Sequence, residues 1–493
     1  MLDASGCSLR DAFRVIAKWR RAGAGLLLAA WAVCGPAAAQ QGTVAFESHG
    51  SGRETVPEAG VSQVAATGGH SCALRANGTI KCWGYGRYGQ LGLGDQLNRG
   101  DGPGEMSDNL PTVDLGTGAT AVQVTVGGLT TCALLDDGTV KCWGYNMDGQ
   151  LGQGHQLTRG DGPGEMGDAL PVVDLGTGRT ATQVAAGLSA HTCALLDNGT
   201  VKCWGLNTFG QLGLGNMIDR GDQLGEMGDN LPPVDLGTGR TATQITLGLD
   251  HTCALLDNGT VKCWGRNYRG QLGQGHTLNR GDGPGEMGDN LPPVNLGTGR
   301  TATQITAGRD HTCALLDDGT VKCWGYNDFG QLGLGNRAYR GDGLGEMGDA
   351  LPAVNLGTGR TATRISTGAD HTCALLDDDS VKCWGKNERG ELGLGDTARR
   401  GDEPGEMGNS LPAVQLGAGL AAAHVSTWCV LLDNGTGKCW GRNLEGQLGL
   451  GDTANRGDGP GEMGDSLPIV VLDASPTVAV SADEGSVAAG GVI

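Results

Sequence analysis

Cysteine has the most chemistry to offer in this chain, and its spacing is regular: fourteen of the sixteen cysteines form pairs ten positions apart. The pairs are Cys72 with Cys82, Cys132 with Cys142, Cys193 with Cys203, Cys253 with Cys263, Cys313 with Cys323, Cys373 with Cys383 and Cys429 with Cys439. Only Cys7 and Cys34 are left outside. Between partners lies a short turn such as Asp136-Asp137-Gly138. A type I turn with a Gly bulge pairs Leu135 with Thr139 and brings Cys132 opposite Cys142. That is a non-hydrogen-bonded site, where Cα atoms stand about 4.5 Å apart, near the lower limit for a disulfide. Zinc sites want close C-x-x-C pairs or a His/Cys quartet, and neither occurs within a unit. The expectation is one disulfide per hairpin, with no metal and no cofactor.

Histidine is the next candidate. His70, His191, His251, His311 and His371 precede the first cysteine of five copies, and a ring of imidazoles facing a channel would suit metal or acid–base work. The preferred reading is a His that caps a strand by hydrogen bonding inside its own unit. Asp222, Glu226 and Asp229 carry the oxygens a Ca²⁺ ion would choose; a solvated turn closed by an Arg–carboxylate pair over a Met is preferred. The R-G-D triplets at Arg99, Arg159, Arg220, Arg280, Arg340, Arg400 and Arg456 resemble an adhesion tripeptide but recur as part of the repeat. Asn77, Asn198, Asn258 and Asn434 open N-G-T and are read as turn residues, glycosylated only in a eukaryotic host. Gly84-x-Gly86-x-x-Gly89 occurs once with no helix after it, and Gly187 to His191 lacks the last Gly of a nucleophile elbow. Dinucleotide binding and serine-hydrolase chemistry therefore fail.

These residues are positioned by a repeat. K-C-W-G recurs with its indole at Trp83, Trp143, Trp204, Trp264, Trp324, Trp384 and Trp440, at spacings of 60, 61, 60, 60, 60 and 56. Gly and Pro make up about 22 % of the 493 residues and no copy carries helical periodicity, so each unit is built from short strands and turns. In the third copy four strands are expected: Ala181 to Ala186, Thr192 to Leu196, Thr200 to Trp204 and Leu231 to Leu236. Seven such units without a polar cap at either end predict a closed, all-β, seven-bladed propeller over 61–473, with the indoles packing between blades. Closure leaves room for a strand lent by the other chain end. The sixth copy has Asp379 where others have Gly, and the seventh is about four residues short, so that blade is expected to be the weakest.

The ends read differently. Five cations precede the apolar run Ala24 to Val33, which leads to Ala37-Ala38-Ala39, so 1–39 reads as an export signal cleaved after Ala39. A lead (40–60) and a small, Gly-rich tail (474–493) flank the propeller. The whole chain carries −19, and removing the signal makes it −22. Such acidity works against nucleic acid, and the absence of any other long apolar run works against membrane insertion. A secreted, periplasmic or cell-surface monomer is expected.

With K-C-W-G followed by G-Q-L-G, as at Trp204-Gly205 and Gly210-Gln211-Leu212-Gly213, and preceded by His191-Thr192-Cys193-Ala194-Leu195, the unit resembles the regulator of chromosome condensation repeat. The resemblance implies a seven-bladed β-propeller. The family includes a nuclear exchange factor for a small GTPase and exported bacterial propellers, some of them β-lactamase inhibitors; export and paired cysteines are similar to the second kind. This chain departs from the usual unit by an insert such as Arg220 to Asp229, which lengthens the period to about 60 and contributes −2 per copy, −14 in all. That charge is expected on one face. The reading is a non-enzymatic binding propeller that engages a protein or surface polymer through repeated loops. A guanine-nucleotide exchange regulator and a hydrolase or lyase with its site in the channel are the alternatives.

Overall fold

The computed structural model describes residues 60–473; the segment read as an export signal, most of the lead and the tail lie outside the described residues. Seven three-stranded antiparallel sheets follow one another, each drawn from one contiguous copy. Blade 4 is typical: Ala242–Leu247, His251–Leu256 and Val261–Gly265. Its hairpin has the expected register, with Cys253 opposite Cys263 and Leu256 N–H on Thr260 O at 2.8 Å. One disulfide lies inside each blade, with Cα atoms 4.1 Å apart. In chain order Cys72 is bonded to Cys82, Cys132 to Cys142, Cys193 to Cys203 and Cys253 to Cys263. Cys313 is bonded to Cys323, Cys373 to Cys383 and Cys429 to Cys439. The hairpin register accounts for all seven, since it sets each pair directly opposite on neighbouring strands.

The fourth segment of each copy is not a strand, contrary to expectation. Leu231 to Leu236 reads L-P-P-V-D-L, and Pro232 and Pro233 have no N–H to give to a ladder. One bond survives, from Val234 N–H to Val201 O at 2.7 Å. The described ends also exchange no strand, because closure repeats the contacts made at the other seams. Trp83 Nε1 donates to Gln447 O at 3.0 Å, Lys81 Nζ to Leu472 O at 2.6 Å, and Arg75 pairs with Asp473 at 2.7 Å.

The repeated motifs are seam residues. A bulge between Ala242 and Gln244 re-aims the glutamine toward the next blade. Gln244 Nε2 donates to Ile305 O at 3.1 Å, and Ile305 N–H donates to Gln244 Oε1 at 2.8 Å. Five first strands are clasped in this way by Gln63, Gln123, Gln183, Gln244 and Gln304, which places the first strands innermost. Further out, Trp264 Nε1 and Thr252 Oγ1 both donate to Gln211 O of the preceding blade, at 3.1 and 2.9 Å. Gly213 of the preceding G-Q-L-G has φ +69°, and a Cβ there would meet Trp264 Nε1 at 2.8 Å, so only Gly fits. The seven repeated indoles are 0–1 % exposed. Truncating such a core side chain costs about 3–5 kcal/mol, a large part of a domain's net stability. On the outer side Lys262 Nζ donates to Leu236 O and Gly288 O at 2.9 and 2.8 Å.

Blades 6 and 7 depart from the pattern. Arg364 and His424 stand where the other inner strands have Gln, and the strands of blade 7 shrink to Ala422–Val425, Cys429–Leu432 and Gly437–Cys439. In blade 6 Asp379 takes φ 62° at the Gly position. In blades 1 to 5 a Cβ there would crowd a threonine, as Gly319 would Thr361 at 2.7 Å; the copy after blade 6 has Ala421 instead. Strain at φ remains, so Asp379→Gly is expected to stabilise the protein by about 1 kcal/mol. A urea midpoint that falls in this variant would refute a purely steric role for the residue.

Candidate functional site

The histidines do not cap their own blades. His251 Nε2 meets Thr312 Oγ1 of the next blade at 3.0 Å, and His70 and His191 do the same with Thr131 and Thr252. They are 0–1 % exposed and line no channel. Because each such Thr gives its proton to a Gln carbonyl, the His must donate through Nε2–H and is neutral; burial pushes His70, His191, His251 and His311 down to about 3. The loops above them are tied together near the axis, with Leu249 N–H on Arg309 O at 3.1 Å and Arg309 N–H on Ala369 O at 3.0 Å.

The acidic insert also separates. Glu226 Oε2 accepts from Gly221 and Gln223 N–H at 3.0 and 3.1 Å, and Arg220 lies 3.6 Å from Oε1. Asp229 instead accepts from Thr177 of the preceding copy, at 2.9 Å from N–H and 2.6 Å from Oγ1. Among the described residues no group of three His, Cys, Asp or Glu is arranged to hold a metal. Gly205 pairs with Arg220, and Val201 takes the bond from Val234. The insert therefore runs back along the blade's outer edge; its charge is not gathered on one face as expected.

Two sets of loops share one end of the blades. The loop between the first and second strands meets the loop after the third, as where Arg266 N–H donates to Asp250 O at 2.8 Å and Tyr85 N–H to Gly69 O at 2.8 Å. The N-G-T hairpins lie at the other end. On the first end the sevenfold repetition fails. After each Trp-Gly the second, fourth and fifth positions from the indole vary, as in Arg266, Tyr268 and Arg269 against Tyr326, Asp328 and Phe329. All six tyrosines of the chain and both phenylalanines of the described region, Phe209 and Phe329, fall on this rim. Reading the copies for likeness hid these residues; the signal was in the positions that differ.

The aromatics and cations interleave. Arg266 lies over Phe209 and Tyr268 at 5.3 and 5.0 Å, Arg269 over Tyr326 and Tyr339 at 5.3 and 5.4 Å, and Arg399 and Lys386 over Phe329 at 4.6 and 5.1 Å. Tyr88 and Tyr145 stack edge-on at 5.3 Å across blades 1 and 2. Beneath this layer Asp250, Asp310 and Asp370 are buried. Burial pushes Asp250 up to about 6 and raises the other two, with Arg266 3.3 Å from Asp250 and Arg309 3.6 Å from Asp370. Large aliphatics occupy one outer position in four successive blades: Leu97, Leu157, Ile218 and Leu278, each 57–64 % exposed. Blades 5, 6 and 7 carry Ala338, Ala398 and Ala454 there. Such a patch of aromatic, aliphatic and Arg side chains has the composition of a protein-docking surface.

Residues 96–486 match the RCC1-like domain, and residues 61–90 match the regulator of chromosome condensation (RCC1) repeat. The ultraviolet-B receptor UVR8 of Arabidopsis thaliana is 28 % identical over 404 residues, 79 % of each chain. The E3 ubiquitin-protein ligase HERC2 of Homo sapiens is 28 % identical over 335 residues, which are 66 % of this chain and 6 % of the ligase. The solved structure of Prp20p from Saccharomyces cerevisiae superposes with a TM-score of 0.56 at 22 % identity, covering 78 % of this chain and 85 % of that one.

Proposed function

The chain belongs to the RCC1-like domain family, and from that premise we propose that it is an exported, non-enzymatic propeller that docks a protein through its variable-loop rim. The observation that carries this reading is the concentration of every described Tyr and Phe on one end of a molecule whose other surfaces repeat. Five of those eight rings, Phe209, Tyr268, Tyr326, Phe329 and Tyr339, lie under stacked cations, so they have little ordering entropy left to lose on binding. Seven disulfides, all with buried sulfurs, support folding in an oxidising compartment. Among the described residues no helix is long and apolar enough to cross a membrane.

The test is co-purification of the disulfide-intact protein with its partner from envelope or medium extract. Tyr268→Ser combined with Leu278→Ser should lower the retained partner at least tenfold, since docking energy concentrates in a few such side chains. Val122→Ser, exposed near the hairpin end, should leave retention unchanged. A partner lost with Val122→Ser and kept with the rim variant would overturn the reading.

A further inference from the structure

The glutamine clasps near the axis run from blade 1 to blade 6 and then stop. In the last of them Gln304 Nε2–H donates to Ile365 O at 3.0 Å, and Ile365 N–H donates to Gln304 Oε1 at 2.9 Å. Blades 6 and 7 carry Arg364 and His424 at the clasp position, opposite Leu375 and Leu431. Among the described residues Arg364 makes no ion pair and no hydrogen bond, and burial alone lowers its guanidinium from the ordinary value, with no carboxylate contributing. It is half-buried, whereas Gln63, Gln123, Gln183 and Gln244 are buried. Solvent therefore reaches the axis at this seam.

What the seam lacks is acceptors. Val425 stands opposite Val430 in the place that Ile365 has one blade earlier, and its N–H receives no side-chain oxygen. Ser366 lies two residues beyond Arg364 and so on the same strand face. In earlier blades this position is satisfied across the seam: Thr246 Oγ1 accepts from Ala307 N–H at 3.1 Å, and Thr306 meets Thr367 at 2.7 Å. Ser366 is 0 % exposed and its Oγ has no partner; Ser426, at the same position in blade 7, is alike at 1 %. The remaining unpartnered buried hydroxyl among the described residues, Thr125, is in blade 2. His424 adds no second charge, because burial and then the Arg364 guanidinium lower it to about 4.

Entry is from the hairpin end, where the first strands begin, since the loops at the other end are tied together near the axis. Four carboxylates at the hairpin end, Asp197, Asp257, Asp317 and Asp377, already face arginines of their own at 3.2–3.4 Å. The local field at Arg364 is thus set by its own charge rather than by the net acidity of the chain.

We propose that the seam between blades 6 and 7 binds an oxyanion group, a carboxylate, phosphate or sulfate, held by Arg364 with the Val425 N–H and the Ser366 hydroxyl as further donors. Water supplies acceptors but leaves the guanidinium charge unanswered. The planar fork offers two parallel donors that match two oxygens of one group, a fit that a halide lacks. The site is separate from the rim and independent of the docking reading.

Phosphate, sulfate, acetate, phenyl phosphate and chloride are titrated by calorimetry against the full disulfide-intact protein at constant ionic strength, beside Arg364→Gln and Ser366→Ala. Arg364→Gln restores the residue that five blades carry, so it should fold and, without an oxyanion, match or exceed the wild-type urea midpoint. At least one oxyanion should bind the wild type, with Kd raised about tenfold or more in Arg364→Gln and raised less in Ser366→Ala. That oxyanion should also raise the urea midpoint more in the wild type than in Arg364→Gln, which separates the site from general stabilisation by excluded salts. Phenyl phosphate binding as tightly as phosphate assigns the site to a group on a larger molecule; its exclusion assigns it to a free ion. No oxyanion binding, equal binding to Arg364→Gln, or chloride binding as tightly as the oxyanions would each overturn the proposal.

Discussion

Reduction of all seven disulfides is expected to abolish cooperative folding under conditions where the oxidised protein is native. Each bond joins residues ten apart in sequence, and closing a loop of that size removes about 2.5–3 kcal/mol of chain entropy from the unfolded state. Seven together amount to roughly 19 kcal/mol in the same treatment, more than the 5–15 kcal/mol by which domains are usually stable. The sulfurs are 0–1 % exposed, so a reductant alone should act slowly. Reduction and alkylation in guanidinium, followed by removal of denaturant, makes the comparison at equilibrium. The alkyl groups add bulk at buried sites, so a chain with all fourteen cysteines replaced by Ala should be measured beside it. A cysteine-free chain that melts at the oxidised midpoint would show the disulfides to be incidental.

Acid should unfold the protein steeply below pH 4 after a shallow decline from pH 6. Burial lowers His70, His191, His251 and His311 to about 3 and His371 to about 4. These groups stay neutral in the fold, while the unfolded chain protonates them below about 6.5. Their stabilising contribution is therefore complete above pH 6.5 and lost as pH falls toward 3. Each costs about 1.4 kcal/mol per pH unit across that window. Buried Asp250, Asp310, Asp370 and Glu391 act oppositely, since burial raises their values and the fold holds their protons first. They oppose the histidine slope until the unfolded carboxylates also protonate near pH 4. Below that the four histidines lowered to about 3 dominate, at up to about 5.5 kcal/mol per pH unit. Urea midpoints from pH 7 to 3 measure this, and His251→Gln should remove about one quarter of the slope below pH 4. A midpoint flat down to pH 3.5 would be incompatible with neutral buried histidines.

Local spacing made much of the architecture legible. A ten-residue interval around a Gly turn defines a hairpin register, so the cysteine pairing followed from counting, and seven returns of K-C-W-G defined the blades. The indoles were rightly assigned to packing between blades. The same method misplaced the fourth strand, because the apolar alternation of Leu231 to Leu236 outweighed Pro232 and Pro233. It also misassigned the histidines. The partner of His251 is Thr312, 61 residues on, a separation at which no local rule applies.

The sequence by itself determined the number of blades, the hairpins and the seven staples, since each depends on residues a turn apart. Only the tertiary structure decided which end of the ring is distinctive. Tyr88 and Tyr145, or Phe209 and Arg266, become neighbours when successive blades stand side by side. Repetition holds the blades to a common geometry through the clasps of Gln, Lys and Trp. The positions free of those clasps were free to vary, and closing the ring gathered them into one rim.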